Sequence, residues 1–265
     1  MHKHAGGYIK ISRRGKPKVI INKRLGSFIV DNKIVKALQI FLNQYELDEK
    51  SSILDVGAGT KPYYSLYSKY FRNCYSTDVE TSPHSIDSID FFCSAHDIPV
   101  NDNSADLVLC TEVLEHVKNP QDVLNEFRRI LKTGGKLFLT TPFVQYIHEL
   151  PNDFFRYTPF ALKEMAEKSG LQIEYFYDKG GIFSIVFLLS TAYYLKFWNR
   201  ISKILKVQII YSVFNPFIFI PVVIPGLIYL KLSGNPHVQN ITTGAKRFGI
   251  NRIITPGYIT VISKP

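Results

Sequence analysis

The chain reads as an α/β protein: a largely parallel sheet with helices on both faces, three layers in all. Three observations predict this. The run Ile53-Leu54-Asp55-Val56-Gly57-Ala58-Gly59-Thr60 is a short apolar strand that ends in a carboxylate and a glycine turn. A second carboxylate, Asp78, closes the strand-like Cys74-Tyr75-Ser76-Thr77, nineteen residues beyond Gly59. Further on, strand-like and helix-like segments alternate, as they do when a parallel sheet is built from crossover units.

The elements follow in order. Residues 1–24 mix basic and β-branched residues with glycines and predict a loosely ordered arm or small hairpin. From Asp31, the apolar positions Ile34, Val35, Leu38, Phe41 and Leu42 keep helical spacing, which predicts a helix beside the first strand. Tyr63 to Tyr70 is expected to carry the helix after the glycine turn, and residues 81–88 a loop. Ile89–Cys93 and Asp106–Cys110 read as strands three and four. Asn119-Pro120 opens a helix, with Asn as cap and Pro in the first turn. Its apolar face is Val123, Leu124, Phe127, Ile130 and Leu131, and Gly134-Gly135 is its expected stop. Lys136–Thr141 is strand five, Leu171–Tyr177 strand six, and the alternating residues 256–263 the last strand. Asp55, Gly57, Asp78, Asp97 and Glu112 all fall at or just past a strand's carboxyl end, where sheets of this type bind ligands.

Charge is segregated. Of 265 residues, 1–30 carry eight Lys/Arg and no acid, and 179–265 carry ten and no acid. The stretch between them holds all 22 acids against 14 basic residues. Two basic arms on an acidic body suit an anionic surface, phospholipid or nucleic acid. Cys74, Cys93 and Cys110 lie far apart in strand-like runs, which indicates buried thiols in a reducing compartment rather than a metal site or disulfides. The N-terminal Met1-His2-Lys3-His4 shows no secretory h-region.

Thr60-Lys61-Pro62-Tyr63 stand where a dinucleotide fingerprint would have its third glycine. That glycine pattern admits a pyrophosphate. The sequence therefore points away from NAD and toward a nucleoside ligand without one, such as S-adenosylmethionine (SAM). Several blocks then occur in order. Leu54-Asp55-Val56-Gly57-Ala58-Gly59 comes first, followed by Asp78, His96-Asp97-Ile98-Pro99 and Asn103-Ser104-Ala105-Asp106-Leu107-Val108. Glu112-Val113-Leu114-Glu115-His116-Val117 and Glu126-Phe127-Arg128-Arg129-Ile130-Leu131-Lys132-Thr133-Gly134-Gly135 complete the set. With these blocks, residues of about 50–180 resemble a class I SAM-dependent methyltransferase of the type 11 subgroup; Thr133 stands where that family usually has Pro.

The resemblance implies a Rossmann-like sheet of seven strands, the last antiparallel between strands five and six. It implies that Asp55, Gly57, Ala58, Gly59, Asp78, Val79, Asp97, Ile98 and Glu112 bind the cofactor. Gly57 and Gly59 would face the methionine part, Asp78 the ribose hydroxyls, and Asp97 and Ile98 the adenine. Glu112 would lie beside the methionine moiety, and Asp55 would order the loop or meet the ammonium through water.

Methyl transfer is an in-line displacement on a sulfonium carbon, so the protein mainly supplies alignment and a dry site. A hydroxyl acceptor also needs a base, for which His148, Asp153, His116 and Glu149 are the candidates. His116 and Glu115 equally suit a framework role. The loop from Pro142 to Thr158 is rich in aromatic and polar groups on the edge where substrate should enter. Tyr146, Arg156 and Tyr157 are its candidate substrate contacts. Alternatively, Arg156 pairs with Asp153, and Thr158 caps a helix that begins at Pro159.

Some eighty residues separate strands six and seven, far more than an ordinary loop. Gly180–Leu195 and Val207–Leu230 carry no charge. Both flanking strands must sit in one sheet, so the chain must return to the side it left. The expected arrangement is a helical hairpin lying in one leaflet, with Lys196, Arg200, Lys203 and Lys206 at headgroups and Tyr193, Tyr194 and Trp198 at the interface. A soluble helical lid over the site is the alternative. The organisation expected is a basic arm at 1–30, a SAM-binding core at 31–180, a hydrophobic basic insert at 181–255 and the final core strand at 256–265. The function expected is methylation of a lipid, lipid-linked saccharide or other amphiphile at the cytoplasmic face of a membrane. An RNA or soluble small-molecule acceptor, or a non-catalytic SAM-binding scaffold, are the rivals.

Overall fold

A computed structural model describes residues 28–45, 50–84, 88–204 and 254–265, with short pieces between 224 and 239. The expected arm and the second uncharged run of the insert lie largely outside the described residues. α1 (Phe28–Gln44) takes up the last three positions assigned to the arm.

Eight strands form one sheet in the order β3-β2-β1-β4-β5-β8-β6-β7. They are β1 (Ser52–Val56), β2 (Asn73–Asp78), β3 (Phe91–Phe92), β4 (Ala105–Thr111), β5 (Leu131–Pro142), β6 (Gln172–Asp178), β7 (Val238–Gln239) and β8 (Gly257–Ser263). The first five pair in parallel. β8 runs antiparallel between β5 and β6, as expected. The two-residue β7 is an addition on the outer edge of β6.

Alternation along the strands builds the layers, because successive side chains point to opposite faces. Ile53, Leu107, Leu109, Phe138, Ile259 and Val261 meet Ile34, Leu38 and Leu42 of α1 and Tyr67 of α2 (Tyr64–Tyr67). Their neighbours Leu54, Val108, Cys110, Leu137, Leu139 and Ile262 face the other way. There they meet Val123, Leu124, Phe127 and Ile130 of α3 (Pro120–Ile130) and Leu162 and Ala166 of α4 (Pro159–Lys168). Full burial of each such side chain is worth about 1.5–3 kcal/mol, so the core of the fold lies in these two clusters.

Helix ends differ from expectation in two places. α3 stops at Ile130 rather than at Gly134-Gly135, because Leu131 already has extended geometry and enters β5. Gly134, at φ +78°, instead makes a turn whose N–H donates to Lys264 O. Asn119 precedes α3 without a side-chain cap bond, so Pro120 carries the start alone. Thr158 does cap α4, accepting from Ala161 N. The helix after the glycine turn is a single turn, shorter than Tyr63–Tyr70.

α5 (Ile182–Ile204) outruns the uncharged stretch, continuing through Lys196, Arg200 and Lys203. Ser184, Ile185, Leu188 and Thr191 are buried, while Phe183, Val186, Leu189, Tyr193 and Phe197 stand exposed along its other side. By length and composition alone, this helix could cross a bilayer.

Candidate active site

Strand register sets one row of residues at the carboxyl edge. Val56 pairs with Thr77 on β2 and with Cys110 on β4, so the next residues, Gly57, Asp78 and Thr111, are level. Thr111 in turn pairs with Thr140 on β5. This edge lies where the strand order departs to both sides of β1 and β4, the place such sheets keep their ligand crevice.

Gly57 and Gly59 both adopt positive φ, +65° and +49°. A β-carbon at Gly57 would lie 2.3 Å from Val113 Cγ2, so the turn packs its bare backbone against the Val113 side chain of the segment after β4. Asp78 is buried; its Oδ2 accepts from Gly59 N at 2.7 Å and its Oδ1 from Val79 N at 2.7 Å. A carboxylate has about four acceptor positions, so two remain for hydroxyls. Val79 presents an exposed apolar side chain next to it. This cradle fits an adenosine with its ribose on Asp78.

Asp55 is 1% exposed and accepts from Tyr67 OH at 3.1 Å, which ties the end of β1 to α2. Burial raises its pKa to about 7. Its inward position matches the loop-ordering role rather than contact with a ligand. Ile98 calls for a correction. Its side chain is 2% exposed within the core, and its N–H donates to Glu126 at 2.7 Å, which leaves nothing to offer an adenine. Asp97 beside it is exposed. Ala58 is buried and donates its N–H to Thr77 O, a structural tie between β1 and β2.

Glu112 follows β4 at φ +54°. Its Oε1 accepts from Thr140 Oγ1 at 2.7 Å and from Lys179 Nζ. Lys179, just past β6, is wholly buried. Lys179 therefore belongs to the core and not to the basic arm, although it directly precedes Gly180-Gly181. Among the described residues, four non-glycine positions have positive φ; Lys61, Glu112 and Glu149 lie at this rim and Asn103 at the other. Such backbone clusters at working sites.

The loop after β5 folds back on the turn Leu114–His116. Phe154 N donates to Glu115 O at 2.9 Å, Tyr157 OH to Leu114 O at 2.9 Å, and His116 Nδ1 to Asn152 O at 2.6 Å. Tyr157 is thus buried framework and not the substrate contact expected of it. Arg156 grips Asp153 through both terminal nitrogens and also reaches Tyr146 O. The Arg156 bond holds the Asp153 pKa at about 2, and His148 N occupies the same carboxylate, so Asp153 is a poor proton acceptor. Arg156 is likewise spoken for. Tyr146, His148 and Glu149 remain partly or fully open to solvent, and Lys196 of α5 lies over the Tyr146 ring at 5.5 Å. His84, in the loop after β2, pairs with Glu149 at 3.2 Å and lies near Gly59.

Comparison with known proteins identifies the family. The model of a methyltransferase-domain family matches residues 54–139, which run from β1 through most of β5. The chain is a class I SAM-dependent methyltransferase of the type 11 kind. Its cofactor is SAM. An uncharacterized protein of Methanocaldococcus jannaschii is 30% identical over 182 residues, 65% of the methyltransferase and 79% of that protein. A ubiquinone biosynthesis O-methyltransferase of Hydrogenovibrio crunogenus is 28% identical over 127 residues, 44% of the methyltransferase. The methyltransferase spans 53% of that relative, about half its length. In fold, it resembles a SAM-dependent methyltransferase of Thermotoga maritima described as a possible histamine N-methyltransferase. The TM-score is 0.53 at 14% identity, over 93% of this chain and 97% of the other.

Proposed function

We propose that this methyltransferase acts on a hydroxyl of an amphiphilic acceptor, a lipid or lipid-linked saccharide, at the cytoplasmic face of a membrane. The exposed apolar side of α5 is the observation that carries the reading. Phe183, Val186, Leu189, Tyr193 and Phe197 follow helical spacing on one side, and Lys196 beside them joins the acceptor loop at Tyr146. That apolar side therefore reaches the loop which, on this reading, meets the acceptor. The name of the Hydrogenovibrio relative supports oxygen as the accepting atom.

Bound SAM supplies an activated methyl on a sulfonium. The chain's own residues hold and shield it. The glycine turn at Gly57 and Gly59 would hold the methionine part, Asp78 would take the ribose hydroxyls on its two open acceptor positions, and Val79 would pack on the adenine. Glu112, fixed by Thr140 and Lys179, places negative charge on the methionine side. On the acceptor side, the aromatic loop would shield the reaction from water, and the neighbouring imidazoles of His116 and His148, 4.9 Å apart, would take the hydroxyl proton.

The test pairs two measurements. Flotation with anionic phospholipid vesicles should carry the wild type upward and leave F183E/F197E behind. Each large apolar side chain is worth about 1.5–3 kcal/mol on burial, so binding should fall at least about tenfold. Incubating membranes and cytosol with methyl-labelled SAM should place label in the lipid extract. Label in RNA or in aqueous small molecules, with no vesicle binding, would overturn the proposal. Asp78→Ala should abolish SAM binding in calorimetry.

A further inference from the structure

We propose that Glu115, His116 and His148 form a binding site for a first-row divalent transition cation on the acceptor side of the pocket. One donor atom from each lies within 4.8 Å of the other two. Glu115 Oε1 and His116 Nε2 are 3.7 Å apart. Two donors bound at about 2.1 Å to one tetrahedral ion stand roughly 3.4 Å apart, so only a small side-chain adjustment is needed.

Glu115 is the strongest reason for a cation. Its side chain is wholly buried, neither carboxylate oxygen accepts a hydrogen bond, and the charges of Lys179 and Arg156 act on it only from beyond ion-pair distance. A buried carboxylate left that way is costly and demands a proton or a positive charge. The two histidines point to the second. Asn152 O, which can only accept, lies 2.6 Å from His116 Nδ1, so that nitrogen carries the proton and Nε2 keeps its lone pair. That lone pair faces two carboxylates, Glu115 Oε1 at 3.7 Å and Glu149 Oε2 at 3.6 Å. Both distances are too long for hydrogen bonds and suited to an ion between them. His148 repeats the pattern. Its Nδ1 faces Tyr146 O at 3.2 Å, and Asp153 Oδ2 at 3.4 Å, which leaves Nε2 as the free donor. A carbonyl or carboxylate behind each ligating imidazole is the usual outer shell of a metal-binding histidine. The rings meet edge to face, with centroids 4.9 Å apart.

Two imidazoles and one carboxylate suit zinc, iron, cobalt or manganese better than magnesium. Glu149 lies beside His116 but outside the group of three, so the fourth place is open to an acceptor oxygen. A hydroxyl bound there would lose its proton to solvent more readily, because the cation lowers its pKa. The imidazoles would then act through the ion rather than as bases themselves. This last role rests on the proposed hydroxyl acceptor; the site does not. The spacing in sequence hides it, because Glu115-His116 and His148 come from segments on either side of β5.

The full chain, stripped with chelator, is titrated with Co2+ and Zn2+ under equilibrium dialysis with elemental analysis, and the Co2+ absorption bands are followed. His2 and His4 can also take such ions, so the readout is the difference between variants. His148→Ala and Glu115→Gln should each weaken one site at least about tenfold and erase its Co2+ bands, while His96→Ala changes neither. SAM affinity of His148→Ala should equal that of the wild type, which separates this proposal from the family assignment. Glu115→Gln can fail to fold, so His148→Ala, on the more exposed ligand, decides. Unaltered cobalt spectra and affinity in His148→Ala, or no site tighter than millimolar in the wild type, would refute the proposal.

Discussion

Alanine at position 57 probes the contact between the glycine turn and the segment after β4. Gly57 holds φ at +65°, a region that costs an L-residue about 1–2 kcal/mol. The new methyl would also lie 2.3 Å from Val113 Cγ2 and 3.0 Å from Cγ1, where carbon atoms prefer about 3.5–4.0 Å. Overpacking of that degree costs about 1–3 kcal/mol. Gly57→Ala should therefore lose about 2–5 kcal/mol of stability in urea unfolding, a large part of what a domain of this kind possesses. Val113→Ala removes both clashing atoms and leaves only Cβ, at 3.3 Å. The double variant should then recover the steric share, seen as a coupling of about 1–3 kcal/mol in a double-mutant cycle, and keep the backbone share. SAM affinity should follow the same order, because the glycine turn and the segment carrying Glu112 move apart together. A Gly57→Ala protein within about 0.5 kcal/mol of wild type, or a coupling near zero, would refute the reasoning.

Three further outcomes follow from the same contacts. Asp55, raised to about 7 by burial, keeps its proton in the native state while the unfolded carboxyl, near 3.9, has lost it. Stability should thus fall as pH rises from about 4 to 7, and Asp55→Asn, measured without SAM, should gain up to about 4 kcal/mol at pH 8 and nothing at pH 4. Asp153, held near 2 by Arg156, works in the opposite sense. Its contribution is present above the unfolded value and lost as pH falls through 2, so the gap between wild type and Asp153→Asn should shrink by about 2 kcal/mol between pH 6 and pH 2 in urea titrations. Lys179 is wholly buried and Glu112 about a quarter exposed. Glu112→Ala strands a buried ammonium and should cost about 3–5 kcal/mol, more than Lys179→Met, in denaturant melts; the reverse order would contradict the burial argument.

Much of this molecule was legible in one sequence because its signals are local. The glycine turn, the acid nineteen residues on and the alternating β8 each follow from backbone rules that act over a few residues. Misreadings arose where side-chain fate depends on a distant partner. Ile98 and Tyr157 look like ligand contacts until Glu126 and Leu114 O are seen to take their polar atoms. Lys179 and Lys264 count as arm charges until the sheet encloses them; Lys264 Nζ donates to Leu131 O across the far rim. Gly134-Gly135 resembles a helix stop, yet β5 begins before it because Ala105 pairs with Leu131. The cluster of Glu115, His116 and His148 needed the fold itself, since nothing in their spacing announces it.

The position of β8 has a kinetic consequence. Asp178 pairs with Tyr258, so a sheet edge that a hairpin would close at once must await a segment about eighty residues away. Closing that loop instead of a tight turn costs about 2–3 kcal/mol more in chain entropy. Until it closes, β5 and β6 each present an open edge, a ready template for pairing with another chain. Expression trials should then find solubility governed by how soon β8 docks, more than by the strength of the cofactor half.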